Sequence, residues 1–385
     1  MLEGTSGVDV PRLYVDSISE AEGFIESYGY DWSIAVDRDE IEKIRRESIR
    51  FIEDELFRED DGMSFPLNIR NERDVRKLLL WASNDTRDER QQWSCALLRV
   101  MHTFAHCGSY FNEKYSEQIR SQIKERFRPH LFEGDSGLRL GAGPAAIPLV
   151  TFEVRGQKTR RSLALKLLYK RENIGSDIFD WVGVRFVTAD RYDALRVVRY
   201  LREGNVINFM QVRPGRSRNT LFDPAAIQDA IDGLEDRIRS GKLPDYQAKR
   251  VLRETINEME YPSPPVKSHN PLSSVAYHSI QFTCMQRIRV RDRESAMLRS
   301  FVDRLPLQDT GVYRTISNYT DRIEDDEDVR FLFPFEVQIL DRHSYELSRS
   351  GLASHEVYKD RQREVVRDRV LGTIIDDDAK RQSAE

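Results

Sequence analysis

Apolar positions between residues 38 and 130 recur three and four apart, as in Ile41, Ile44, Ile49, Phe51 and Ile52, and again in Leu97, Leu98, Met101 and Phe104. That spacing predicts helices that each bury one stripe. Asn71, followed by Asp74, reads as the N-terminal cap and first-turn acid of a helix carrying Val75, Leu78, Leu79 and Leu80. The stretch 133–148 then breaks the pattern with four glycines and two prolines, and reads as a linker or a loop entering a new domain. Beyond it the period changes to two. Strands are expected at 149–154, 181–188, 206–212, 279–285 and 331–339. Helical patterns at 161–171, 192–202 and, as a pair, 224–259 separate several of them, and a charged helix or helix pair closes the chain from 343 to about 372. The expectation is an α+β protein: a helical N-terminal region over 1–147, a mixed sheet of about five strands flanked by helices over 148–360, and a charged C-terminal helix or tail over 361–385.

Composition narrows the partners. A formal net charge of −5 argues against general electrostatic adhesion to nucleic acid, while leaving room for a local basic pocket. No stretch approaches the roughly 20 apolar residues of a membrane span, and the first residues lack the basic start and apolar core of a signal peptide, so a cytoplasmic location is expected. Cys95, Cys107 and Cys284 are too scattered for a disulfide framework and read as packed thiols. His102 and His106, four apart on one helical face, lack the glutamate of a zinc-protease motif and read as a packed or capping pair.

Four patterns in the strand-rich half carry candidate chemistry. Arg155, Lys158 and Ser162, with Lys166 one turn on, follow a strand and open a helix, an arrangement that suits polyphosphate. Asp180 stands at the mouth of the strand carrying Gly183 and Arg185, where a carboxylate can hold Mg²⁺ against phosphates. Alternation places Gly183 and Arg185 on one face, with Val182, Val184 and Phe186 on the other. In the third pattern Tyr277, Ser279, Gln281 and Thr283 share a polar face, and Tyr277 could stack on a base. In the fourth, Glu336 and Gln338 alternate with Phe335, Val337 and Ile339. A mid-strand glutamate between bulky apolar neighbours is costly to bury unless it is paired or bound to metal.

The order of these patterns, R-x-x-K…S…K, D-x-x-G-x-R, Y-x-S and E-x-Q-I, resembles the synthetase domain of the RelA/SpoT family, within the nucleotidyltransferase superfamily. The segment with Ala353, His355, Tyr358 and Lys359 is similar to the one that follows the family's glutamate strand. The resemblance implies a nucleotidyltransferase-like sheet and Mg²⁺-dependent transfer of pyrophosphate from ATP to the 3′-hydroxyl of a guanine nucleotide, which is alarmone synthesis of the stringent response. It implies phosphate contacts from Arg155, Lys158, Ser162 and Lys166, metal binding by Asp180 and Glu336, base stacking by Tyr277, and activation of the acceptor hydroxyl by Glu336. Arg185, Ser279, Gln338 and His355 complete the nucleotide-binding set. The chain departs from the family at Gln281, where a histidine is usual, and at Leu340 and Asp341, where arginine and threonine are usual. Two alternatives therefore stand beside this reading: the same chemistry on an adenine nucleotide or an RNA 3′ end, and a catalytically silent nucleotide-binding regulator.

Overall fold

The structure is a computed structural model that describes Asp9 and residues 12–107, 114–135, 137–156, 158–169, 181–262, 278–290, 329–349 and 355–382; the side chains of Pro214, Val329, His355 and 378–382 are outside the description. The N-terminal half is helical, as its periodicity predicts. α1 (Ile18–Glu26), α2 (Ala35–Glu55), a short α3 (Leu67–Arg70), α4 (Val75–Ser83), α5 (Glu89–His106) and α6 (Ser116–Phe127) follow one another. Aspartate caps start two of them: Asp74 accepts from the Arg76 amide at 3.1 Å and Asp88 from the Gln91 amide at 2.8 Å. The cap of α4 is therefore Asp74 itself, and Asn71, expected in that role, instead ends α3.

The sheet has seven strands rather than the expected five, in the order β1-β2-β3-β4-β7-β6-β5. These are β1 (Leu131–Gly134), β2 (Gly137–Leu140), β3 (Ile147–Arg155), β4 (Gly183–Thr188), β5 (Arg218–Asn219), β6 (Ile280–Val290) and β7 (Val329–Asp341). All neighbours are antiparallel except β4 and β7, which run parallel at the centre. Two expectations are corrected. The glycine-rich stretch at 133–148 is mostly a hairpin and a turn leading into β3, because Gly137, Gly141 and Gly143 take φ of +86°, +81° and +72°, which reverse the chain where a side chain would be strained. Residues 206–212, expected as a strand, form an irregular segment with one 3₁₀ turn; Asn208 draws the Met210 amide to its own side chain at 3.0 Å, and only Val212 bridges to Cys284.

Helices α7 (Arg160–Tyr169), α8 (Arg191–Glu203), α9 (Pro224–Arg239), α10 (Asp245–Glu258), α11 (Arg342–Leu347) and α12 (His355–Gln382) complete the chain, with α9 and α10 forming the expected pair. One face of the sheet is apolar. Phe152, Phe186 and Phe335 meet Phe127 at the end of α6, with ring centroids 5.8, 5.7 and 6.2 Å from it. α12 buries Val366, Val370, Leu371 and Ile374 and is tied to the helical half by charge. Arg363 pairs with Glu55 at 2.7 Å, Arg367 with Asp61 at 2.6 Å and Arg369 with Asp9 at 2.6 Å. No described helix is long and apolar enough to cross a membrane.

Cys107 and Cys284 are buried and Cys95 half-buried; burial pushes the first two thiols up to about 12, so they are packing groups. His102 belongs to the helical core. Its Nδ1 lies 2.6 Å from the Tyr28 hydroxyl, and burial, reinforced by the neighbouring His106, lowers its pKa to about 4. The ring is neutral at pH 7 and shares one hydrogen bond with the Tyr28 hydroxyl. Unfolded, the same imidazole titrates near its ordinary value of about 6.5. Between these values the unfolded chain binds the extra proton, so this contribution is complete above pH ~6.5 and is lost as pH falls toward ~4. Roughly 3 kcal/mol is at stake. Denaturant melts from pH 7 to pH 4 should show that loss, and His102→Gln should flatten it.

Candidate functional site

The polar face of the sheet is built by register. Arg155 on β3 pairs with Gly183 on β4, Gly183 with Glu336 on β7, and Glu336 with Thr283 on β6. The next row of the same face runs Glu153, Arg185, Gln338, Gln281 and Arg218 across five strands. Residues widely separated in sequence thus fall into two adjacent polar rows at the centre of the sheet. A Cβ at Gly183 would meet the Arg155 side chain at 3.8 Å, an ordinary van der Waals distance, so the glycine is not required by crowding.

A hydrogen-bond chain links the rows. Arg185, only 5% exposed, donates to Gln338 Oε1 from Nη2 at 2.9 Å and from Nε at 3.2 Å. This fixes the amide, so that Gln338 Nε2 donates to Glu336 Oε2 at 2.7 Å. The Arg185 guanidinium also stands 3.8 Å from the Glu153 carboxylate and lies over the Tyr345 ring. Tyr345 donates to Glu153 at 2.8 Å, and Arg349 to the Tyr345 hydroxyl at 3.3 Å. The half-buried Glu336 carboxylate is therefore held in one orientation through Gln338 and Arg185, and its own amide donates to the Val182 carbonyl at 2.9 Å.

The basic segment lies beside these rows. Arg155 is exposed at the end of β3, and Lys158 is half-buried two residues before α7. Thr159 caps α7, accepting from the Ser162 amide at 3.2 Å. Lys359 of α12 reaches the Ser162 hydroxyl at 3.4 Å, so the segment near the C-terminus meets the start of α7. Lys166 is half-buried one turn further along α7. Ser279 sits elsewhere: it is buried at the sheet edge, its amide donating to Thr220 Oγ1 at 3.0 Å, with its own hydroxyl unsatisfied among the described residues. Asp180, Tyr277 and the His355 side chain lie outside the described residues. Among the described residues no three His, Cys, Asp or Glu side chains form a metal-ligand group.

Glu153, Tyr345 and Arg349 join the site without having been singled out from the sequence, whereas Lys359 belongs to the segment that the resemblance had marked. Glu153 carries a legible signal, because it alternates with Arg155 on β3. Tyr345 arrives through Asp341, which caps α11 by accepting from the Ser344 amide at 3.0 Å. One of the departures from the RelA/SpoT pattern thus has a local task, turning the chain so that Tyr345 covers Glu153. Leu340, the other departure on β7, is fully buried. The chain matches no protein-family model and no curated protein.

Proposed function

We propose that the chain is a Mg²⁺-dependent pyrophosphokinase with a nucleotidyltransferase-like sheet, transferring pyrophosphate from ATP to the 3′-hydroxyl of a nucleotide, with a guanine nucleotide as first choice. The observation that carries this reading is the alignment of Arg155, Gly183 and Glu336 across three strands, with Glu336 oriented by Gln338. A cation and an oriented carboxylate in one row, with a glycine between them, suit a phosphoryl group brought against an activated hydroxyl.

In this mechanism Arg155, Lys158, Ser162 and Lys166 bind the ATP phosphates, and Tyr277 stacks on the acceptor base. Arg185 acts through Gln338 as a positioning residue, and His355 borders the nucleotide, while Ser279, buried at the sheet edge, stands outside this set. Glu336 takes the proton of the acceptor hydroxyl as its oxygen bonds to the β-phosphorus. The bond from that phosphorus to the bridging oxygen of the α-phosphate breaks, and AMP leaves. Glu336 is a hard oxygen donor of the kind Mg²⁺ prefers, and with Asp180 it would hold the ion, which offsets charge on the phosphates. The test is transfer of label from γ-labelled ATP with Mg²⁺ to GDP, GTP, ADP or bulk tRNA. ATP binding without transfer to any of them would sink the reading in favour of a silent nucleotide-binding protein.

An RNA 3′ end is a second acceptor, favoured by one specific observation. β5 brings Arg218 into register with Gln281, extending the polar row at the sheet edge near the exposed Arg213 and Arg216.

The donor half has its own expected result. Arg155→Ala and Lys158→Ala should each weaken ATP binding about tenfold, the equivalent of one charge-assisted contact. Melting temperature should hardly move for the exposed Arg155 and shift only slightly for the half-buried Lys158, because substitutions outside the core mostly stay within about 0.5 kcal/mol. Titration of ATP and a thermal melt on the same preparations check both; parallel losses would make the segment structural.

A further inference from the structure

Between the start of α7 and α2 lies a groove of about 580 Å³, lined by Lys43, Arg46, Glu47, Arg50, Arg160 and Arg161. Lys43, Arg46 and Arg50 are exposed and fall on one face of α2, spaced three and four apart. Over seven residues a helix rises about 10 Å, so these cations form a line longer than a single phosphate. Opposite them stand two arginines with fixed positions. Arg160 pairs with Glu47 at 2.9 Å and donates to the Phe104 carbonyl at 3.0 Å, and Arg161 pairs with Asp54 at 2.7 Å. Arg46 has a longer pairing with Glu42, at 3.6 Å. Among the described residues, Lys43 and Arg50 have no ionic partner.

The charge balance points to an anion. Counting the flanking Glu42 and Asp54 with Glu47, five cations face three carboxylates, an excess of two positive charges in a chain whose net charge is −5. Like charges one turn apart on a helix cost about 0.2–0.5 kcal/mol per pair, a cost that a bound polyanion would relieve. A solvated helix face accounts for exposed cations on α2. It does not account for Arg160 and Arg161, half-buried and held by their own carboxylates, converging on the same groove. The lining has no aromatic or aliphatic residue to grip a base or an acyl chain, so recognition rests on phosphate oxygens, for which arginine forks are suited.

We propose that this groove is a second anion site that takes a linear phosphoanhydride of two or three linked phosphates, either free or as the tail of a nucleotide. It is separate from the candidate catalytic rows, since neither Lys158, Ser162 nor Lys166 lines it. The proposal stands independently of the pyrophosphokinase reading.

The experiment is calorimetric titration of the full chain with inorganic tripolyphosphate, without Mg²⁺ and at low salt, repeated with orthophosphate, ATP and a single-stranded RNA oligonucleotide. Lys43→Gln with Arg50→Gln should weaken tripolyphosphate binding at least tenfold without changing the melting curve. Lys158→Ala with Lys166→Ala should still show the tripolyphosphate-binding event that Lys43→Gln with Arg50→Gln removes. Orthophosphate should bind far more weakly, and comparable tripolyphosphate and ATP affinities would identify the phosphate chain as the recognised element. The proposal is overturned if tripolyphosphate fails to bind at about 1 mM, if only the Lys158 and Lys166 variant loses binding, or if orthophosphate binds as well. It also falls if only RNA binds and does so through Lys43 and Arg50, because the groove would then belong to a nucleic-acid face.

Discussion

Phe127→Ala should remove about 3–5 kcal/mol of stability, a large share of the margin by which a domain of ordinary size stays folded. Phe127 is fully buried at the end of α6, where it meets Phe152 of β3, Phe186 of β4 and Phe335 of β7. Those three residues come from the strands that carry Arg155, Gly183 and Glu336 on the opposite face. Truncation to alanine both removes apolar area and leaves a space that three aromatic rings cannot collapse to fill, since close-packed interiors relax only in part. Chemical denaturation should show a lower midpoint with an unchanged slope. Phe127→Leu, which keeps most of the volume, should recover most of the loss. An alanine variant with the midpoint of the parent would mean that α6 does not hold the sheet.

The apolar side of this architecture was legible because periodicity reports burial directly. Alternation in Val184, Phe186, Phe335, Val337 and Ile339 identified the buried face of two central strands, and helical spacing identified the stripes of α2 and α5. What escaped was local geometry carried by few residues. Gly137, Gly141 and Gly143 make turns, yet glycine-rich composition suits a linker equally well. Residues 206–212 have the composition of a strand, but Asn208 offers its own side chain to the backbone and Gly204 ends α8 just before it. β5 has two residues, too few for any period.

For the candidate site, sequence supplied parity but not register. Alternation put Arg185 with Gly183 and Glu336 with Gln338, and pairing in the structure then set Gly183 against Glu336 and Arg185 against Gln338. Which rungs meet depends on where each strand enters the sheet, which a single strand's pattern does not encode. Sequence also could not assign Arg185 its role. A basic residue in this pattern reads as a nucleotide ligand, whereas its guanidinium is engaged by Gln338 and Tyr345 and sits near Glu153. The basic groove was invisible for a related reason: Lys43 and Arg50 are separated from Arg160 and Arg161 by more than a hundred residues and meet only through packing.

Glu336→Gln is expected to lower turnover by roughly 10² to 10⁴ while leaving the fold and ATP binding in place. Glutamine keeps the shape of the side chain and one acceptor oxygen, so the 2.7 Å hydrogen bond from Gln338 Nε2 can persist. Arg185 would continue to fix Gln338, and the apolar face of β7 would be untouched. The loss falls on what glutamine lacks, the capacity to take a proton from the acceptor hydroxyl and the charge that would help hold Mg²⁺. An alternative role for Glu336 as an anchor of the Gln338 and Arg185 chain makes the opposite forecast: lower melting temperature with unchanged activity per folded molecule. Gln338→Leu separates the roles further. It removes the group that orients Glu336 but leaves the carboxylate, so it should reduce turnover by less than Glu336→Gln. Turnover on γ-labelled ATP, ATP titration and a melting curve, taken on one preparation of each variant, distinguish the cases. A fully active Glu336→Gln protein would rule out the carboxylate as the base and, with it, the proposed mechanism.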